Sequence, residues 1–349
     1  MDVSGAALSR MYYDEAVRPA IATRWPGLPH AAARLGGGSE VLGFDDAVSR
    51  DHDWGPRLNL FVPVEVVGQV DDYLDTVLPE TFGGYPTRFA VTWDPQARHR
   101  VQVGTVGNFV ASRTGVNAFG ALSIADWMSL TGQAILEVTA GPVYVDTTGE
   151  LTSARERLAW YPEGLWTYVV AADWVRLAQE LPLVGRTAER GDALGSRVIT
   201  ARLVGVAIHL AHLLERRWPP YPKWAGTSLS RLPRAGAIAA PLHAALEARD
   251  WRPREDGLVE ALRRLHHVQR AVGLPVVEDP IEPFWARGYQ GVRDDVVARL
   301  EASVTDPAVR ALPRGVGSVE QWSDNVDVLL DTGHRLASHG SGEEPAETR

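Results

Sequence analysis

The sequence predicts an α/β domain followed by an all-helical one. Three observations carry that expectation. Short β-branched or aromatic runs are confined to roughly the first 120 residues, long amphipathic stretches take over after about Ala125, and 349 residues exceed what one hydrophobic core usually organises. The boundaries that follow are an α/β domain over 1–124, a helical domain over 125–338 and a loose tail over 339–349, whose Gly, Ser, Glu and Pro content is too poor in apolar residues to offset ordering.

Taken in order, residues 9–33 read as helix. Residues 57–65 read as a strand, because Leu58, Leu60, Val62 and Val64 alternate, and 66–78 returns to helical spacing. Runs at 88–93 and 100–106 are strands, separated by a turn at Asp94-Pro95, and form a hairpin or neighbouring strands. Beyond 125 the helices fall at 165–179, 195–217, 235–249, 258–272 and 292–302. The run Trp218-Pro219-Pro220-Tyr221-Pro222 breaks the second of them, since proline lacks an amide donor and clashes with the preceding turn.

Composition narrows the chemistry. A net charge of −9 disfavours a nucleic-acid partner, whose footprint is a clustered Lys/Arg surplus. With no cysteine, disulfides, thiolate zinc sites and a Cys nucleophile are excluded. The N-terminus lacks the basic and apolar regions of a signal peptide, and no apolar run approaches the roughly 18 to 20 residues needed to cross a bilayer. The expectation is a cytoplasmic protein with no membrane partner.

The chemically distinctive stretch is Gly36-Gly37-Gly38-Ser39, followed a dozen residues later by Asp51-His52-Asp53. A Gly-rich turn opening a helix offers backbone N–H groups to phosphate, so Gly37, Gly38 and Ser39 are the candidate triphosphate cradle. Carboxylates at i and i+2 of a strand share a face, so Asp51 and Asp53 are the candidate Mg²⁺ ligands, with ATP or another NTP as co-substrate. Each half alone has a plainer reading: a flexible linker for the glycines, a solvated acidic turn for the aspartates.

These residues resemble the signature of the nucleotidyltransferase superfamily, which includes polymerase-beta-like enzymes and aminoglycoside nucleotidyltransferases. More narrowly, Gly38-Ser39-Glu40-Val41-Leu42-Gly43-Phe44-Asp45 and Asp51-His52-Asp53-Trp54-Gly55-Pro56-Arg57 look like a bacterial nucleotidyltransferase-like family of unassigned function. Further blocks extend the resemblance over nearly the whole chain: 78–86, 191–197, 220–224 and 317–322. It implies a nucleotidyltransferase-like α/β (α+β) domain with a mixed sheet, followed by a helical-bundle domain that closes on substrate. It also implies Mg²⁺-dependent transfer of a nucleoside monophosphate from ATP or another NTP to a hydroxyl of a small-molecule acceptor. Lys223 and Arg197 would then reach the distal phosphates, and Asp192 and Arg186 the acceptor. For Asp192 a helix N-cap is an equal alternative, with the nearby arginines paired to acidic neighbours. The motifs leave the acceptor's identity and the oligomeric state open.

One departure bears on catalysis. Related antibiotic nucleotidyltransferases carry a third carboxylate on a later strand, whereas Val101-Gln102-Val103 places an amide there. Gln102 can hydrogen-bond a hydroxyl but cannot accept its proton near neutral pH, a role that contributes on the order of 10² to 10⁴ in rate. Asp94, Glu65 or a residue of the helical domain would supply the missing carboxylate, or His99 a base, although each alone reads as a surface or turn residue. The alternatives are a nucleotide-binding regulator without transfer chemistry, or the same scaffold turned to another reaction on a small metabolite. His209, His212 and Glu215 recur at helical spacing but read as edges of a packing helix, and His266-His267 point to different helix faces.

Overall fold

The computed structural model describes residues 3–46, 48, 54–91 and 94–338. The chain forms two compact units. The first takes residues up to Leu122 together with Ala134–Ala159 and Asp331–Gly333; the second takes Ser123–Gln133, Trp160–Leu330 and the residues from His334 on.

In the first unit, helix α1 (Gly5–Tyr12) starts where the Ser4 side chain accepts from the Ala7 amide. A π-helical turn over Tyr13–Val17 leads into α2 (Arg18–Arg24). The helix expected over 9–33 stops there, because Pro26 disfavours a helical Trp25 and Gly27 takes φ +77°. Ala31–Ala33 forms strand β1 instead. Alanine prefers helix, but these three are at most 1 % exposed in the middle of a sheet, so packing overrides propensity.

β1 pairs antiparallel with both β2 (Leu58–Phe61) and β4 (Val143–Asp146), and β2 pairs parallel with β3 (Val101–Gly104). The sheet is therefore mixed, in the order β3-β2-β1-β4. β4 lies within the stretch read as wholly helical. Its few residues, Val143-Tyr144-Val145-Asp146, stand between helices α6 (Gly132–Thr139) and α7 (Glu150–Arg157), too short a run to stand out against helical neighbours. Leu58 and Leu60 pack with Tyr12, Val17, Ile21 and, from α4 (Val67–Val77), Val70 and Leu74. On the other face Phe61 meets Phe109 of α5 (Val106–Thr114) at 5.2 Å between ring centroids. The residues around Asp94-Pro95 are not a turn: Arg88–Val91 pairs with a strand over Asp94–His99.

After β1 the chain turns through the glycines into a one-turn helix, α3 (Ser39–Leu42). A buried ion pair shapes this passage. Arg34 Nε and Nη2 donate to Glu40 Oε1 at 3.0 and 2.5 Å, and the same guanidinium donates to the Leu35 and Gly37 carbonyls. Arg57, which leads into β2, adds a second cation 3.7 Å from the carboxylate. Burial by itself would raise the Glu40 carboxyl, but Arg34 and then Arg57 hold it below the usual range.

The second unit is built on α8 (Glu163–Glu180), α9 (Leu183–Ala188), α10 (Ala193–Leu214), α11 (Ala239–Glu247), α12 (Trp251–Ala271) and α13 (Asp294–Ser303). α10 packs against α8, α9, α11 and α12. Contrary to the expectation of no apolar run of spanning length, α10 is long and apolar enough to cross a bilayer by length and composition. More than half of its apolar stretch is buried in this unit. It ends at Leu214, ahead of the proline run, with Arg216 at φ +51°. The unit is not wholly helical, since Ile281–Pro283 and Gln290–Val292 form a hairpin. Two buried indoles are satisfied within it: Trp166 Nε1 donates to the Leu213 carbonyl and Trp174 Nε1 to Gln269 Oε1, both at 2.7 Å.

Glu40→Gln removes one charge of a pair whose side chains are 2 % and 6 % exposed. It strands the Arg34 guanidinium and lowers stability by about 3 kcal/mol at neutral pH. Folded-state titration makes the sign specific: a carboxyl with a lowered folded pKa stabilises above its ordinary range and loses that contribution as pH falls. Denaturant midpoints of the variant and the parent therefore converge in acid.

Candidate functional site

Two places in the molecule gather polar chemistry, one at the end of the sheet and one inside the helical unit. In the sheet, Ala33 stands opposite Asn59 in an antiparallel ladder, so the turn leaving β1 and the chain entering β2 lie at the same end. Asn59 faces Gln102 in the parallel ladder, which puts both side chains on one face. Buried Asn59 joins the three elements: its Oδ1 accepts from the Leu35 amide at 2.8 Å, and its Nδ2 donates to Gln102 Oε1 at 3.0 Å. Sequence reasoning picked out Gln102 but missed Asn59, an amide in a strand of apolar residues.

The glycines are shaped by their surroundings. Gly36 takes φ +82°, and its amide donates to the Glu137 carbonyl at 2.7 Å. Gly38 has φ +140°, and a Cβ there would press into the Glu40 carboxylate and the Arg34 guanidinium. Gly37 and Ser39 are half-buried beside it. Asp51 and Asp53, the expected metal ligands, lie outside the described residues, as does His52. Of the substitute acids and bases, Asp94 is bound to Arg100 at 2.8 Å and Glu65 is exposed. His99 is buried, which lowers its pKa, and lies 3.5 Å from Asp71.

The helical-unit residues singled out from the sequence sit in local contacts. Asp192 is the N-cap of α10, its Oδ1 accepting from the Gly195 amide at 2.7 Å. Arg197, one turn on, donates to the Ala193 and Arg249 carbonyls at 3.3 and 3.4 Å. The Arg186 guanidinium is 5.9 Å from the Phe284 ring centre, and Lys223 Nζ is 5.2 Å from that of Trp224. None of the four lines the cavity beside α10.

That cavity encloses about 840 Å³ between α10, the proline run at 219–222 and residues 320–324. At its wall, His209 Nδ1 lies 2.6 Å from Asp173 Oδ2 and its Nε2 3.3 Å from Glu320 Oε1. Burial opposes the imidazolium, but Asp173 and then Glu320 outweigh it and lift His209 to about 10. Both carboxylates have further partners. Gln321 Nε2 donates to Asp173 Oδ1 at 2.8 Å, and the Gly132 amide donates to Glu320 Oε2 at 2.7 Å.

His212, three residues along the same helix, has the opposite fate: burial pushes it down to about 4. Its Nδ1 faces the Ile208 carbonyl at 2.8 Å and must donate, so its Nε2 accepts from the Ser228 hydroxyl at 2.8 Å. Glu215 accepts from the amides of Arg234 and Ala235 at 2.5 and 2.8 Å. The three residues that share helical spacing thus serve three different neighbours. Asp173 and Glu320 were missed by sequence reasoning. A lone acid in the apolar run 169–174 was the available signal for the first, and the quoted block at 317–322 for the second.

A family described as a domain of unknown function (DUF4037) matches residues 127–225. Those residues include Asp173, Arg176, His209 and the proline run. No curated protein matches the chain. Among solved structures, a nucleotidyltransferase-like protein from Exiguobacterium sibiricum is similar at 12% identity, with 74% of each chain covered and a TM-score of 0.31. That likeness is too distant to assign a fold or an activity.

The His209 clamp has a pH signature. A base whose folded pKa is raised from 6.5 to about 10 stabilises fully below 6.5 and loses that contribution as pH rises through 10. The melting-temperature deficit of His209→Gln is therefore largest below pH 6.5 and closes toward pH 10, as followed by circular dichroism.

Proposed function

We propose that the protein is an enzyme that transfers a nucleoside monophosphate from ATP or another NTP to a hydroxyl of a small-molecule acceptor. The observation that carries this reading is that the Gly37-Gly38-Ser39 turn leaves β1 at the sheet end where β2 begins, while in the sequence the Asp51-x-Asp53 motif stands a few residues ahead of β2. In such a reaction the acceptor oxygen bonds to the α-phosphorus, pyrophosphate departs and the hydroxyl proton passes to a base. Gly37, Gly38 and Ser39 would hold the triphosphate through backbone and hydroxyl hydrogen bonds.

Among the described residues no group of three or more His, Asp or Glu could hold a metal, and Glu40 is engaged by Arg34 and Arg57. Asp51 and Asp53 would hold Mg²⁺ through hard-oxygen carboxylates. When bound, Mg²⁺ neutralises phosphate charge and aligns the reacting groups.

Gln102 favours a second reading. Its carbonyl oxygen already accepts from Asn59, and an amide cannot take a proton from the acceptor. Nucleotide binding without transfer is the outcome if no other base is present.

Titration calorimetry with ATP, GTP, CTP and UTP, with and without Mg²⁺, tests the binding part. Asp53→Asn abolishes the Mg²⁺-dependent component while leaving the fold intact; unchanged affinity rejects the site. Gln102→Glu keeps an oxygen for the Asn59 hydrogen bond and supplies a base. Pyrophosphate release with candidate acceptors then rises by about 10²-fold if the amide marks a lost base.

A further inference from the structure

Arg176 projects from α8 into the helical unit's cavity, half-buried. Among the described residues lining that cavity, it is the cation with neither a hydrogen bond nor an ion pair. Arg202 is bound to Glu180 at 2.7 Å, and His209 is clamped by Asp173 and Glu320. Glu320 in turn is spent on His209 and the Gly132 amide, while Asp324 is exposed to solvent at the rim. A half-buried guanidinium without a counter-charge loses hydration and gains nothing in return, and its planar fork matches an oxyanion.

A second observation concerns the space itself. Gly205 stands in the interior of the 22-residue α10, where alanine would favour the helix. A Cβ on Gly205 would meet no atom within 4 Å, and Gly205 lines the cavity. Gly205 is exposed, so packing does not demand glycine there, and a side chain at this position would enter the open space of the cavity. About 840 Å³ is within the usual range for a small-molecule site. Its lining also includes Pro219, Pro220, Tyr221 and Trp322, the last 48% exposed.

We propose that this cavity binds a small organic anion, with its carboxylate or phosphate on Arg176 and its apolar body against Pro219, Pro220, Tyr221 and Trp322. The site lies wholly within the second unit and invokes neither nucleotide nor metal, so it stands or falls separately from the transfer reaction.

The full chain is titrated by calorimetry, without nucleotide or Mg²⁺, with benzoate, phenyl phosphate and the neutral benzyl alcohol. At least one anion binds, about tenfold or more tighter than benzyl alcohol, and the stronger of the two identifies the natural headgroup as carboxylate or phosphate. Arg176→Ala weakens that anion by about tenfold or more and leaves benzyl alcohol unchanged; Arg176→Lys, a point charge without the fork, falls between. Gly205→Leu places four extra carbons in the cavity and weakens binding of every probe, with the melting temperature confirming the fold in each variant. The proposal is overturned if neither anion binds at millimolar concentration, if the alcohol binds as well as the anions, or if a folded Arg176→Ala or Gly205→Leu variant binds as the parent does.

Discussion

The Arg34–Glu40 pair is the constraint on which the sheet end of the first unit depends. One guanidinium reaches forward in the chain to the Leu35 and Gly37 carbonyls and across to Glu40 on α3, so the Gly-rich turn is held by charge and hydrogen bonds together. Desolvating both charges is costly, and the cost is offset only because nearly every donor and acceptor finds a partner at short range. Arg57 extends the cluster to the entry of β2. A glycine is required at Gly38 for the same reason, since a side chain would occupy the volume of the ion pair. Asn59 then carries the organisation to the third strand by bonding Leu35 on one side and Gln102 on the other.

In the helical unit, environment decides charge. His209 and His212 are one turn apart on α10, yet one is held as a cation and the other as a neutral base. Residue type and helical spacing are equal for the two. The difference is that two carboxylates from other elements, Asp173 and Glu320, converge on the first, whereas the second meets a carbonyl and a hydroxyl. Among the described residues that line the cavity, Arg176 is the cation left without a hydrogen bond or ion pair.

Much of the element pattern was legible. The periodicity at 66–78 and through the later amphipathic stretches placed most of the helices it named to within a few residues, since an amphipathic period of 3.6 is a local property, while α5, α6, α7 and α9 were not picked out. The long first helix was cut short by Pro26-Gly27, a stop signal present in the sequence and overridden by the helical propensity of the alanines that follow. β4 was not legible, because a four-residue strand paired across more than a hundred positions leaves almost no local trace.

The sequence by itself determined the mixed α/β and helical character of the chain, the absence of thiol chemistry, and the presence of a Gly-Ser turn followed by an Asp pair. Each of these is a matter of composition, spacing or local periodicity. Only the tertiary structure decided that three alanines form the centre of a sheet, that Asn59 links Leu35 to Gln102, and that His209 is sealed between acids 36 and 111 positions away. Burial, register and the convergence of charges from distant segments are set by how elements pack, and no local window of sequence contains them.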